Sequence, residues 1–177
     1  NPNVITLVVQ PSVSSGTVSA QIRTHLATST DTDDCTASDP ATASVVVPVL
    51  RHIADDGSVI AGQEVSNNVR GSTHTICAVD PDTGQGLALP GITLANIVVT
   101  NGGGYASTTD TDPTFTDVQI FTGDGSNGPS GATCVSWRSL DAGDQTINIV
   151  YVDPNTGQQI NVLWGSGQGI VKEWNRL

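Results

Sequence analysis

Cysteine, histidine and clustered aspartate are the residue types in this chain that could form a covalent bond, bind a metal ion or transfer a proton. The cysteines are Cys35, Cys77 and Cys134, and an odd number allows one disulfide with one thiol left over. We predict the pair Cys77–Cys134, because both residues lie in strand-like runs of the same domain. The alternative is three buried free thiols, since unpaired cysteine is often a core residue. No C-x-x-C motif occurs, which disfavours zinc.

Aspartates are concentrated in loop segments, where carboxylate oxygens could bind calcium. The group that we single out as a calcium candidate is Asp110, Asp112 and Asp117. It matches neither the EF-hand loop nor a repeated calcium-binding nonapeptide, and the same holds for Asp124 in the segment GDGSNG. Asx turns explain such aspartates equally well. We therefore predict no cofactor, with structural calcium as the one alternative.

Histidines and acidic residues do not form a recognisable catalytic motif. His25, His52 and His74 lie in separate predicted strands and would form a metal or catalytic site only if the fold brought them together. A Ser-His-Asp hydrolase would need its nucleophile on a strained turn such as G-x-S-x-G, which the chain lacks. A pair of carboxylates for glycoside hydrolysis can be drawn from 17 acidic residues, so such a choice has no weight. We predict that the chain is not an enzyme.

Lysine and tryptophan offer two further kinds of site. Lys172 is the single lysine and the one side-chain amine that could form an internal isopeptide bond with asparagine or aspartate. A lone lysine in an aspartate-rich surface protein is more often exposed on an edge strand, and this is our prediction. Trp137, Trp164 and Trp174 could stack on a carbohydrate. Because only 4% of the residues are aromatic, we expect these tryptophans to pack in the core instead.

Composition and charge restrict the partners and the compartment. The 177 residues include 6 basic and 17 acidic side chains, for a net charge of −11. This charge argues against binding to nucleic acid or insertion at an anionic membrane surface. No apolar stretch approaches the roughly 20 residues of a membrane span. The chain contains no methionine, so we expect a processed mature chain or an excised fragment. A lysine-poor sequence rich in Thr, Ser and Asp favours an extracellular or cell-surface location.

The elements that would position these residues are strands. Apolar runs are short, alternate with polar residues and end at Gly, Pro or Asp turns, as half-buried strands do. No window has apolar residues at the spacing of a helix face. From about Gly71 the chain contains about seven strand-like runs separated by regular turn signals. We predict an all-β fold with an immunoglobulin-like β-sandwich.

Several segments of this second part resemble bacterial immunoglobulin-like domains of the invasin/intimin type, which occur in tandem in prokaryotic surface proteins. The segments are GSTHTI at 71–76, LPGIT at 89–93, GATCVSW at 131–137, AGDQTI at 142–147 and, more loosely, VKEW at 171–174. The resemblance covers about 59–175, and the chain departs from it in an insertion at 103–117. It implies a structural or adhesive surface module in which His74 has a structural role.

Residues 1–58 contain no matching motif, which divides the chain into an N-terminal β segment, 1–58, and the sandwich, 59–177. The first segment is either a strand extension or a small divergent immunoglobulin-like unit. Its beginning is apolar enough to complete the sheet of a neighbouring subunit. The predicted assembly strand consists of Val4, Ile5, Leu7, Val8 and Val9.

We therefore expect a structural or adhesive subunit of an extracellular filament or surface structure. It would self-assemble into a homo-oligomer or filament through strand complementation, with neither a nucleic-acid partner nor membrane insertion. The alternative is a carbohydrate- or receptor-binding module that uses the loops 101–117 and 123–131, since long loops on a rigid sandwich often bind ligands.

Overall fold

A computed structural model describes residues 15–20, 23–24, 36–37, 41–60, 66–102, 113–152, 157, 159–161 and 169–176. These residues fall into two compact units, one formed by Ser15–Val46 and the other by the described residues from Val47 onward. Strands dominate both units, in agreement with the predicted all-β class. The described part of the chain contains one short 3₁₀ helix, Leu94–Asn96, and no helix that is long and apolar enough to cross a membrane.

The strands are numbered in chain order, and their bounds are β1 Ser15–Ala20, β2 Arg23–Thr24, β3 Thr36–Ala37, β4 Ala41–Val46, β5 Val49–Ile53, β6 Ser66–Val69, β7 Thr73–Val79, β8 Ile97–Gly102, β9 Thr116–Thr122, β10 Thr133–Arg138, β11 Gly143–Val152, β12 Gln159–Asn161 and β13 Ile170–Asn175. The smaller unit contains two antiparallel pairs, β1 with β4 and β2 with β3. The predicted boundary at residue 58 lies one strand later than the observed division, because β5 pairs with β7 of the larger unit.

The larger unit contains two sheets. The first is antiparallel, in the order β5-β7-β10-β9. The second is mixed: β11 pairs antiparallel with β8, β12 and β13, and β13 pairs in parallel with β6. Strands β6 and β13 are the first and last strands of this second sheet along the chain, and they lie side by side.

Inward-facing apolar residues of both sheets share one core, which makes the unit a β-sandwich. Alternate positions along each strand point to opposite faces, so β13 has the pattern of buried and half-buried residues expected of a strand with one covered face. Trp137 and Trp174 are fully buried, which confirms the prediction that they pack in the core. Trp164 lies outside the described residues. The buried residues of this core are Leu50, Ile76, Val135, Trp137, Ile147, Ile149, Ile170 and Trp174.

Candidate functional site

Cys77 and Cys134 form a disulfide bond, as predicted, with an S–S distance of 2.00 Å. The two residues stand directly opposite each other in the neighbouring strands β7 and β10. Both are fully buried, in a small apolar cluster with Ile53 and Ala132. The bond therefore joins two strands of one sheet, whereas the bridge of antibody domains joins the two sheets of the sandwich. The remaining cysteine, Cys35, lies outside the described residues.

The glycine-rich loop 123–131 covers this disulfide. Gly128 is buried with φ +149°, and a Cβ at this position would lie 2.7 Å from the sulfur of Cys77 and 2.9 Å from that of Cys134. Real Cβ atoms do not approach other atoms this closely, so only glycine fits without a rearrangement. The close approach of this loop to both sulfurs keeps solvent away from the bond.

The carboxylate of Asp124 accepts hydrogen bonds within the same loop and stabilises its conformation. Its Oδ1 accepts hydrogen bonds from the backbone N–H of Ser126 (2.8 Å) and of Asn127 (3.2 Å), and from the Ser126 hydroxyl (2.7 Å). These hydrogen bonds hold the pKa of Asp124 below its usual value because they stabilise the ionised form. The pattern is an Asx turn, which is the structural explanation for this aspartate.

The calcium candidates are not assembled into a site by the residues that the structure describes. Asp110 and Asp112 lie outside the described residues, and Asp117 forms an ion pair with Arg138. Asp117 has φ 53° and lies where the pairing of β9 with β10 shifts register, so it belongs to a β-bulge. Among the described residues, no group of three or more metal-ligating side chains is close enough to hold an ion.

A network of polar side chains lies inside the sandwich core, centred on Gln145 of β11. Its Oε1 accepts two indole hydrogen bonds, from Trp137 Nε1 at 3.0 Å and Trp174 Nε1 at 2.9 Å. Its Nε2 donates to the carbonyl oxygens of Pro113 (3.2 Å) and Thr114 (3.1 Å). Gln145 is fully buried, so these four hydrogen bonds compensate for its removal from water. The amide thus links both sheets of the core to the segment before β9.

Two of the three histidines are also part of this interior. His52 Nδ1 and His74 Nε2 are 2.8 Å apart, so one ring donates a hydrogen bond to the other. The His74 ring makes an edge contact with Trp137, with ring centroids 5.4 Å apart. Burial lowers the pKa of His74 to about 2, and the nearby charges of Lys172 and His52 act in the same direction. His74 is therefore neutral at physiological pH, in agreement with its expected structural role. His25 lies outside the described residues.

Lys172 is the least expected member of the interior. The prediction that it is an exposed edge-strand residue is wrong: its exposed fraction is 0%, because β13 lies between β11 and β6 and Lys172 shares the covered face of the strand with Trp174. Its Nζ donates hydrogen bonds to Asn68 Oδ1 at 2.7 Å and to the Glu173 carbonyl oxygen at 3.1 Å. The ammonium group also lies 4.8 Å from the centre of the Trp174 ring.

The environment of Lys172 favours the neutral amine. Burial lowers its pKa to about 7, although the charge of Glu173 acts in the opposite direction. A neutral primary amine is a nucleophile, and the carboxamide of the half-buried Asn68 is one of the groups in contact with it. Lys172 and Asn68 are 104 residues apart in sequence and meet because β13 and β6 pair in parallel. We call Lys172 and Asn68 the buried amine–amide pair.

The remaining predicted site residues are the assembly-strand residues Val4, Ile5, Leu7, Val8 and Val9, which lie outside the described residues, so the assembly strand stays a prediction.

Comparison of the chain with protein-family models, with curated proteins and with solved structures found no match. The candidate functional features are therefore defined by their geometry alone: a shielded disulfide in one sheet and a buried amine–amide pair in the other.

Proposed function

We propose that this chain is a structural module of an extracellular surface structure or filament, in which the sandwich carries mechanical load. The observation that carries this proposal is the parallel pairing of β6 with β13. Four register pairs join the two strands, from Lys172 opposite Ser66 to Asn175 opposite Val69. The backbone continues the pairing beyond the strands, because the N–H of Arg70 donates to the carbonyl oxygen of Asn175 at 3.0 Å.

The direction of the load explains why parallel pairing of these strands resists tension. A force that pulls the start of β6 and the end of β13 apart acts along both strands, since they run in the same direction. All hydrogen bonds between the strands then resist the force together, whereas a force across the strands would break them one after another. Forced unfolding is governed by the unfolding barrier, so this difference changes the rate at which the sandwich opens under load.

The disulfide and the composition support an extracellular location for this module. Disulfides persist in oxidising compartments and are rare in the cytosol. The Cys77–Cys134 bond also closes a segment with a sequence separation of 57 residues, which cannot extend under tension while the bond is intact. A net charge of −11 with one lysine is consistent with the predicted surface location.

The strand order supports the resemblance to immunoglobulin-like surface domains. Constant-type immunoglobulin sandwiches pair strands A, B, E and D in one sheet and C, F and G in the other. The sheet β5-β7-β10-β9 follows the first order, and β8, β11 and β13 follow the second. We propose on this basis that the larger unit is an immunoglobulin-like domain of a surface protein.

The load-bearing role is tested by pulling the same protein in two directions. Handles attached at Ser58 and Arg176, both exposed, load β6 and β13 along their length once Val59 and Ile60 have separated from β5. Handles at Arg70 and Arg176, which lie at the same end of the two strands, peel them apart. Both geometries are measured on the Asn68→Ala variant, so that backbone pairing alone holds the strands. A higher unfolding force in the first geometry supports the proposal, and equal forces would contradict it.

Assembly through the N-terminal segment needs a separate experiment. The native mass of the full chain and of a chain lacking residues 1–10 is measured by light scattering, with electron microscopy of the same samples. Oligomers or filaments that form with the full chain and are lost on truncation support strand complementation. Assembly that survives the truncation would exclude residues 1–10 as the donated strand.

A further inference from the structure

The buried amine–amide pair has the geometry of two groups ready to react. Nζ of Lys172 lies 2.7 Å from Oδ1 of Asn68, and a carbonyl bond is about 1.2 Å long, so Nζ is within about 4 Å of Cγ. Reactive pairs held in place are typically about 3–3.5 Å apart. The two residues are far apart in sequence, and the backbone pairing of β13 with β6 holds them next to each other.

We propose that Lys172 and Asn68 form an intramolecular isopeptide bond, which joins Nζ of the lysine to Cγ of the asparagine and releases ammonia. The bond would connect β6 to β13 across 104 residues of sequence. It goes beyond the proposed function, since the reaction depends only on the folded sandwich and neither on assembly nor on location.

The reaction balances without a cofactor or a second substrate. The lone pair of the neutral Lys172 amine attacks Cγ of Asn68, and the electrons of the carbonyl double bond move to Oδ1. A proton passes from Nζ to Nδ2, the carbonyl re-forms, the Cγ–Nδ2 bond breaks and ammonia leaves. The product is a secondary amide, and no atom changes oxidation state.

The described surroundings favour each part of this reaction. Hydrogen bonds to Asn68 and to the Glu173 carbonyl hold Nζ of Lys172 beside the carboxamide, and rotation about the Cε–Nζ bond turns its lone pair towards Cγ. Positioning two groups in this way is worth an effective concentration of about 10⁵–10⁸ M in well-oriented reactions. The exposed fraction of Lys172 is 0%, so the amine is kept from bulk water by Trp174 and the neighbouring strands.

The bond is tested by mass spectrometry of the purified, folded full chain after denaturation and reduction of the disulfide. We expect a mass about 17 Da below that of the sequence, which is the mass of one ammonia. Trypsin cleaves after lysine and arginine, so an unlinked chain gives separate peptides 52–70, 139–172 and 173–176. The linked chain instead gives one branched product of 52–70 and 139–176, because Lys172 is no longer a cleavage site.

Variants assign the bond to its two residues. Asn68→Ala and Lys172→Met should have the full sequence mass, while Asn67→Ala, at the neighbouring asparagine of the same strand, should still lose ammonia. A succinimide at Asn101 or Asn127, each followed by glycine, would also lose ammonia but would leave peptide 52–70 unlinked. Should Asn68→Ala or Lys172→Met not fold, the peptide map of the wild-type chain decides alone.

The outcomes are distinct. The branched peptide in the wild-type chain supports the proposal, and tandem fragmentation that places the link between residues 68 and 172 completes it. Full sequence mass with a free 52–70 peptide, in a sample whose far-ultraviolet circular dichroism shows folded β structure, would overturn it. Equal unfolding forces in the two pulling directions would refute the load-bearing role without bearing on the isopeptide bond. The two proposals can therefore be refuted separately.

Discussion

Replacement of Gln145 by methionine tests whether the buried polar network stabilises the sandwich. Methionine has a similar length and no amide, so Gln145→Met leaves the indole N–H groups of Trp137 and Trp174 without their acceptor. Each unsatisfied buried donor costs about 1–3 kcal/mol. The two donors together give an expected loss of about 4 kcal/mol in the free energy of unfolding, before any cost at the Pro113 and Thr114 carbonyls is added.

This loss is large relative to the total stability of a domain, which is typically about 5–15 kcal/mol. It should lower the unfolding midpoint by about 10–20 °C, followed by far-ultraviolet circular dichroism. The matched control is Gln119→Met, which makes the same chemical change at an exposed position of β9 and should shift the midpoint by less than about 2 °C.

A double-mutant cycle separates the hydrogen bonds from general packing. Trp137→Phe removes one of the two indole donors, so its own cost should be smaller in the Gln145→Met background than in the wild-type chain. A loss of under about 1 kcal/mol for Gln145→Met, or strictly additive effects in the cycle, would refute the idea that this amide satisfies both tryptophans.

Three further predictions concern the disulfide, its covering loop and the buried histidine. Replacing both Cys77 and Cys134 by alanine should lower the free energy of unfolding by about 4 kcal/mol for a closed segment of this length, and urea unfolding without reductant measures it. Gly128→Ala should destabilise more than Gly125→Ala, since both have positive φ but only Gly128 meets the two sulfurs; equal thermal shifts would contradict this contact. Because the pKa of His74 falls from 6.5 when unfolded to about 2 when folded, the unfolded state binds more protons below pH 6.5, and stability should fall by up to about 2–3 kcal/mol between pH 7 and pH 4.5. Urea midpoints at the two pH values test this, and His74→Phe should remove that part of the slope.

Much of the fold could be predicted from the sequence because strand signals are local. Alternation of apolar and polar residues over 145–152 and turn residues on either side correspond to β11, and the run around Cys134 corresponds to β10. The disulfide was predictable for a related reason, since its two cysteines belong to strands of one domain. The division after Val46 was harder to predict from the sequence. It depends on the pairing of β5 with β7, two strands that are separated along the chain by residues without a clear strand pattern.

The buried amine–amide pair could not be predicted in the same way. Lysine has a strong preference for the surface, so its residue type predicted that Lys172 would be exposed. The alternation of the strand did contain a signal. Lys172 lies two residues from both Ile170 and Trp174, so all three side chains point to the same face of the strand, and the other two are buried. Asn68 had no such signal: only the parallel pairing of β6 with β13, a contact across 104 residues, brings the amide to the amine.

The same pairing also determines when the sandwich can close as the chain is synthesised. Among the described strands, β6 pairs with β13 alone, and β13 is the last of them in chain order, so β6 lacks this neighbour until β13 has been made. Contacts between residues so distant in sequence are slow to form, because a long loop must close first. We expect β8, β11 and β12 to pair as soon as they are made, and β6 to join this sheet only after β13 has been synthesised.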